Sequence, residues 1–169
     1  KMVYPVLKAN AYGHGLTEVA KALDPEKPEF FVVDSLHEAY QLKKAGIKSK
    51  ILILGYTFPE NLLRKKLPFH FAVSDLGTAK ALSKYKAKVH LKIDTGMNRM
   101  GFSVENLPQV LEKFKELKVE VVGVLSHLAD ADNAHDVSYT KQQFKKFEEA
   151  VQMVRTAGFE PEYVHIEQS

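Results

Sequence analysis

Val6-Leu7-Lys8-Ala9-Asn10-Ala11-Tyr12-Gly13-His14-Gly15 runs from an apolar stretch into a lysine and then into a glycine-punctuated turn, after which a helix is expected from Leu16. This is strand, chemical residue, turn, helix, in that order. A lysine at the mouth of a strand is half-desolvated, which favours its neutral amine and makes it a better nucleophile and base. Tyr12 brings a hydroxyl to the same turn, and Gly13 and Gly15 allow backbone to approach a bound group closely. The plain alternative is a surface lysine at a strand terminus.

The same grammar repeats along the chain. Short β-branched runs are predicted as strands from Met2 to Leu7, Phe30 to Val33, Ile51 to Leu54, His70 to Val73, Val89 to Ile93, Val119 to Leu125 and Tyr163 to Ile166. Helices are predicted from Leu16 to Leu23, Ser35 to Ala45, Pro59 to Lys66, Asp75 to Lys84, Val104 to Leu117 and Val137 to Ala157. In the last, Phe144, Phe147, Val151 and Val154 trace the apolar stripe. Ser35, Asp75 and Ser103 sit where N-caps belong, Ser35 with Glu38 makes a capping box, and Gly46 and Gly158 suit helix stops. Pro5 conflicts with its strand, since proline gives no ladder donor.

Strict alternation of strand and helix implies parallel strands joined by right-handed crossovers. An open doubly wound sheet and a closed barrel both satisfy it. Polar residues at many strand ends, namely Lys8, Asp34, Gly55, Ser74, Asp94, His127 and Ser169, favour the barrel, where such ends converge on one mouth. The expected fold is α/β, a TIM-like (β/α)8 barrel with about seven of its eight strands. One domain over 1–169 is expected, cut from a longer protein at both ends.

With 169 residues, 45% hydrophobic and 27% charged, the chain can bury a core. A net charge of +3, with lysines scattered among acids, argues against a nucleic-acid groove or a membrane face and for small-molecule chemistry. The absence of cysteine excludes disulfides and thiolate metal sites within these residues and is compatible with a reducing cytoplasm, the expected location.

Three further stretches carry chemistry. Val89-His90-Leu91-Lys92-Ile93-Asp94-Thr95-Gly96-Met97-Asn98-Arg99-Met100-Gly101-Phe102 sets Lys92 on one strand face with His90 and Asp94, then presents Arg99 on a glycine-flanked loop. A cation inside a barrel needs a negative partner or a modification that changes its charge. Arg99 reads either as a loop-bracing ion pair or as a planar fork for a carboxylate or phenolate oxygen. Val124-Leu125-Ser126-His127-Leu128-Ala129-Asp130-Ala131-Asp132 ends a strand in an acidic loop. His127 there reads as a rim residue, or with Asp130, Asp132 and His135 as a metal ligand, although no ligand spacing is fixed and no metal is assigned. The last stretch is Tyr163-Val164-His165-Ile166-Glu167-Gln168-Ser169.

The decapeptide around Lys8 closely resembles the pyridoxal-phosphate lysine segment of alanine racemases, and the stretch through Arg99 resembles their arginine loop. The resemblance extends over nearly the whole chain. It implies the barrel domain of a fold-type III pyridoxal 5'-phosphate enzyme, an amino-acid racemase (isomerase) whose complete form adds a C-terminal β domain and works as a homodimer. Lys8 would hold the cofactor and act as acid and base on one face of the substrate's α-carbon. Arg99 would lie near the phenolic oxygen and the substrate carboxylate, Lys92 would match a lysine carbamylated in some members, and His127 would stand beside the ring. Tyr12 and Ser169 would reach the phosphate. Glu167 and Gln168 depart from the family's His-Ala-Asn-Ser pattern, which puts the phosphate geometry and substrate preference in question.

The implied reaction interconverts L-alanine and D-alanine, supplying D-alanine for peptidoglycan. The opposite-face tyrosine belongs to the family's second domain, so the piece alone is expected to be inactive. A racemase of serine or lysine and a non-catalytic single-barrel pyridoxal-phosphate-binding protein are the alternatives.

Overall fold

The computed structural model describes residues 3–62, 67–133 and 135–167. The chain divides into two compact units, Lys1–Ala72 and Val73–Ser169.

In the first unit, a helical turn α1 (Lys8–Tyr12) precedes helix α2 (Leu16–Leu23), strand β1 (Phe30–Val33), helix α3 (Leu36–Lys44), strand β2 (Lys50–Ile53) and strand β3 (His70–Val73). β1 pairs with β2 in parallel from Phe30↔Lys50 to Val33↔Ile53, and β2 with β3 at Leu52↔His70 and Ile53↔Phe71. All four β1 residues are buried, as in a parallel strand covered on both faces. Burying each large side chain of this kind stabilises the fold by roughly 1.5–3 kcal/mol. Ser35 caps α3 as its sequence pattern predicts: Ser35 Oγ accepts from Glu38 N at 3.3 Å, and Glu38 Oε2 accepts from Ser35 N at 3.1 Å.

In the second unit, helix α4 (Leu76–Ser83) is followed by strand β4 (Lys88–Asp94), a short strand β5 (Phe102–Ser103), helix α5 (Leu107–Glu116), strand β6 (Glu120–His127), helix α6 (Ser138–Thr156) and strand β7 (Tyr163–Glu167). β4 pairs with both β5 and β6, and β6 with β7, all in parallel. Asp75 caps α4 by accepting from Thr78 N at 2.8 Å. Gly46 and Gly158 take positive φ just past α3 and α6.

Four expectations need correction. The predicted strand from Met2 to Leu7 is only a single parallel bridge, Val6↔Val32, with Leu7 N donating to Val32 O and Val32 N to Pro5 O. Pro5 has no N–H to offer β1 on the same side, so the ladder stops there. The seventh strand is instead β5. Ser103 lies in that strand, and its Oγ accepts from Asn106 N, shaping the turn before α5 rather than capping the helix. Third, the helix predicted from Pro59 begins as a 3₁₀ turn, Pro59–Asn61, and residues 63–66 lie outside the described residues. Finally, Phe144 is 41% exposed, whereas Gln143 is fully buried beside Phe147, Val151 and Val154. Among the described residues, no helix is long and apolar enough to cross a membrane.

Candidate active site

Lys8 follows buried Leu7, which is hydrogen-bonded to β1, so its backbone is anchored on one side by the core. Beyond it the chain winds left-handed: φ is +52° at Ala9, +57° at Asn10, +52° at Ala11 and +54° at Tyr12. For non-glycine residues this hand costs about 1–2 kcal/mol each, so several such residues in a row persist only if the surroundings hold them.

They do so through two side chains. Glu38 Oε1 accepts from Ala9 N at 2.9 Å while its Oε2 accepts from Asp34 N at 2.8 Å and from Ser35 N. One carboxylate thus closes the α3 cap and grips the turn next to Lys8. Asn10, a residue type that tolerates this conformation, accepts from Leu16 N at 2.9 Å through Oδ1 and supplies the first turn of α2 with an acceptor. Lys8 is half-buried, and Tyr12 is 53% exposed on the same turn.

In the second unit, His90, Lys92 and Asp94 alternate along β4 as expected. His90 and Lys92 are buried and Asp94 is half-buried at the strand end. Asp94 Oδ1 accepts from Gly96 N at 2.9 Å and Asn98 N at 3.1 Å, folding the loop that presents Arg99. Arg99 is exposed. Among the described residues no ion pair holds its guanidinium. The loop returns to β4 at Gly101, whose φ is +145° and where a Cβ would lie 2.5 Å from Asp94 N; only glycine fits.

His127 is half-buried at the end of β6. The loop after it is tied by its own side chains, with Asn133 Nδ2 donating to Asp130 Oδ2 at 3.0 Å. Among the described residues no group of three His, Cys, Asp or Glu gathers as a metal site. His90 Nδ1 lies 3.0 Å from His165 Nε2, and the His90 ring stacks on Tyr163. A register shift in the β4–β6 pairing sets Gly123 opposite His90, where a Cβ would come within 2.4 Å of Nδ1. Burial pushes the His165 imidazole down to about 4. Glu167 ends β7, while Gln168 and Ser169 lie outside the described residues.

Sequence reasoning saw Glu38 only as a cap and missed Gln143 altogether. The signal for the second was present: a polar residue four positions before Phe147, on the face that the apolar stripe occupies.

A family model described as alanine racemase, N-terminal domain, matches residues 1–169. The chain belongs to this family. Alanine racemase of Fusobacterium nucleatum is 39% identical over 174 residues, covering 100% of this chain and 48% of that protein. Its Carboxydothermus hydrogenoformans counterpart is 41% identical over 170 residues, covering 95% and 45%. Among solved structures, alanine racemase of Clostridium difficile 630 superposes with a TM-score of 0.90 at 32% identity, over 99% of this chain and 49% of that one. Alanine racemase from Bacillus anthracis with bound L-Ala-P gives 0.85 at 29% identity, covering 99% and 45%.

The chain therefore spans about half the length of the relatives it matches. This likeness bears out the expected fold class, the α/β barrel of the alanine racemase N-terminal domain, with seven strands among the described residues.

Proposed function

We propose that this chain is the lysine-bearing portion of an alanine racemase and that the complete protein, a homodimer, interconverts L-alanine and D-alanine using pyridoxal 5'-phosphate. The observation that carries the reading is the turn after Lys8. The fold tolerates successive left-handed residues there and braces them with Glu38, an arrangement that supports a set backbone path from which Lys8 extends. Family membership and the relative solved with L-Ala-P support the reaction and substrate.

The residues present fit the cofactor. Half-buried Lys8, on a braced turn, suits attachment to an aldehyde, and the exposed Arg99 guanidinium suits a phenolate oxygen or a substrate carboxylate. When bound, the cofactor supplies an electron sink for the charge left on the α-carbon after its proton departs. Lys8 holds and moves that proton on one face. Arg99 orients the substrate, His127 lies beside the ring, and Tyr12 and Ser169 bind the phosphate. Lys92, buried on the face it shares with His90 and Asp94, is the proposed carbamylation site; the added carboxylate would replace a buried cation with an anion for Arg99. The chain taken alone, spanning half of its relatives, is proposed not to racemise.

Incubation with pyridoxal phosphate followed by borohydride reduction and peptide mapping tests the reading. The expected label is on Lys8, lost in Lys8→Ala. An unlabelled Lys8, or labels spread evenly over surface lysines, overturns it.

A further inference from the structure

Gln143 lies in the second turn of α6 with its whole side chain buried on a face otherwise built of Phe147, Ala150, Val151 and Val154. Burying an amide costs side-chain freedom and polar hydration, and an apolar residue would fill the same place without the second loss. The amide is used almost fully. Its Oε1 accepts from Ala129 N at 2.9 Å, and its Nε2 donates to Thr95 Oγ1 at 3.1 Å and to His127 O at 3.2 Å.

Those partners belong to two different loops. Thr95 opens the loop that Asp94 shapes and that carries Arg99, while His127 ends β6 and Ala129 lies in the loop after it. A second link runs in parallel, because Thr95 Oγ1 lies 2.9 Å from Ser126 Oγ, which in turn donates to Ile93 O at 2.8 Å. The preceding turn of α6 adds Tyr139, whose hydroxyl donates to Gly96 O, and Thr140, whose Oγ1 donates to Asp130 O at 3.2 Å.

We infer that Gln143 is a positioning residue that locks the arginine loop to the strand end at His127, so that the two move as one piece set by α6. The lock is a matter of geometry within one unit. Its meaning for catalysis rests on the roles proposed above for Arg99 and His127. A flipped amide would set Oε1 against the carbonyl of His127 and Nε2 against the N–H of Ala129, so the packing admits one orientation.

Amide hydrogen exchange of the unliganded chain tests this with three variants. In Gln143→Leu the Ala129 and Gly96 amides should exchange at least about tenfold faster, while Val124, inside β6, keeps its protection. In Gln143→Glu the acceptor for Ala129 N survives and both donors go at neutral pH. Ala129 then stays protected while Gly96 is released, a split that general loosening cannot produce. Thr95→Val, which removes the partner from the other side, should likewise release Gly96 and spare Ala129.

Unchanged exchange at both amides, or an equal rise that includes Val124, overturns the inference. Should Gln143→Leu fail to fold, the other two variants decide. Trapping of pyridoxal phosphate at Lys8 is scored separately on the wild-type chain, so failure of the proposed function and failure of the lock are told apart.

Discussion

The Glu38 carboxylate accepts the backbone N–H of Ala9 at 2.9 Å, 29 residues away in the chain, and so joins the cap of one helix to the turn that aims Lys8. Its other oxygen receives Asp34 N and Ser35 N, which makes the carboxylate a knot for three backbone donors.

Replacing Glu38 separates stability from aim. Glu38→Ala removes these charge-assisted bonds and the capping box, with an expected loss of about 2–3 kcal/mol in denaturant unfolding. Glu38→Gln keeps one acceptor and should lose about 1 kcal/mol. In both variants borohydride trapping at Lys8 should slow more than the fall in folded fraction explains. Trapping at the wild-type rate in folded Glu38→Ala would show that the knot does not aim the amine.

Ala9 is exposed at φ +52°, so its methyl contributes strain and little packing. Ala9→Gly should stabilise the chain by about 0.5–1 kcal/mol, the relief of left-handed strain exceeding the added freedom of the unfolded chain. A fall in the urea midpoint would mean that the turn is unstrained.

His165 gives the fold a pH dependence whose sign is fixed. Its imidazole is pushed by burial from 6.5 to about 4, so between those values the unfolded chain binds a proton that the folded chain refuses. Stability should therefore fall as pH drops from 6.5 towards 4, by up to about 3 kcal/mol. Urea unfolding at pH 7.5 and 5 measures the slope, and His165→Gln should flatten it. An NMR titration placing the His165 midpoint near 6.5 would contradict the assignment.

Much of the scaffold was legible because its signals are local. The apolar run Phe30 to Val33, the Ser35 and Asp75 caps and the stops at Gly46 and Gly158 each depend on neighbours in sequence. What escaped depends on distant partners. Ala9 and Ala11 favour an ordinary right-handed helix by composition, and Glu38, the Asn10 side chain and the core behind Leu7 support the other hand. On α6, Phe147, Val151 and Val154 are buried as the stripe predicts, and only its first position moves, from Phe144 to Gln143, because the loops that need an amide lie on that side. Of the candidate residues, Lys8 and His127 stand out by their place at the ends of apolar segments and Arg99 by its glycine-flanked loop, and the structure puts Lys8 directly after buried Leu7, His127 at the end of β6 and Arg99 in the loop after β4.

The hydroxyls of Thr95 and Ser126 have a direction. Since Ser126 gives its hydrogen to the carbonyl of Ile93, Thr95 must give its own to Ser126 and can only receive from Gln143. A file of donors that terminates on a peptide oxygen has nowhere to pass a proton onward. This pair is a blind alley rather than a relay.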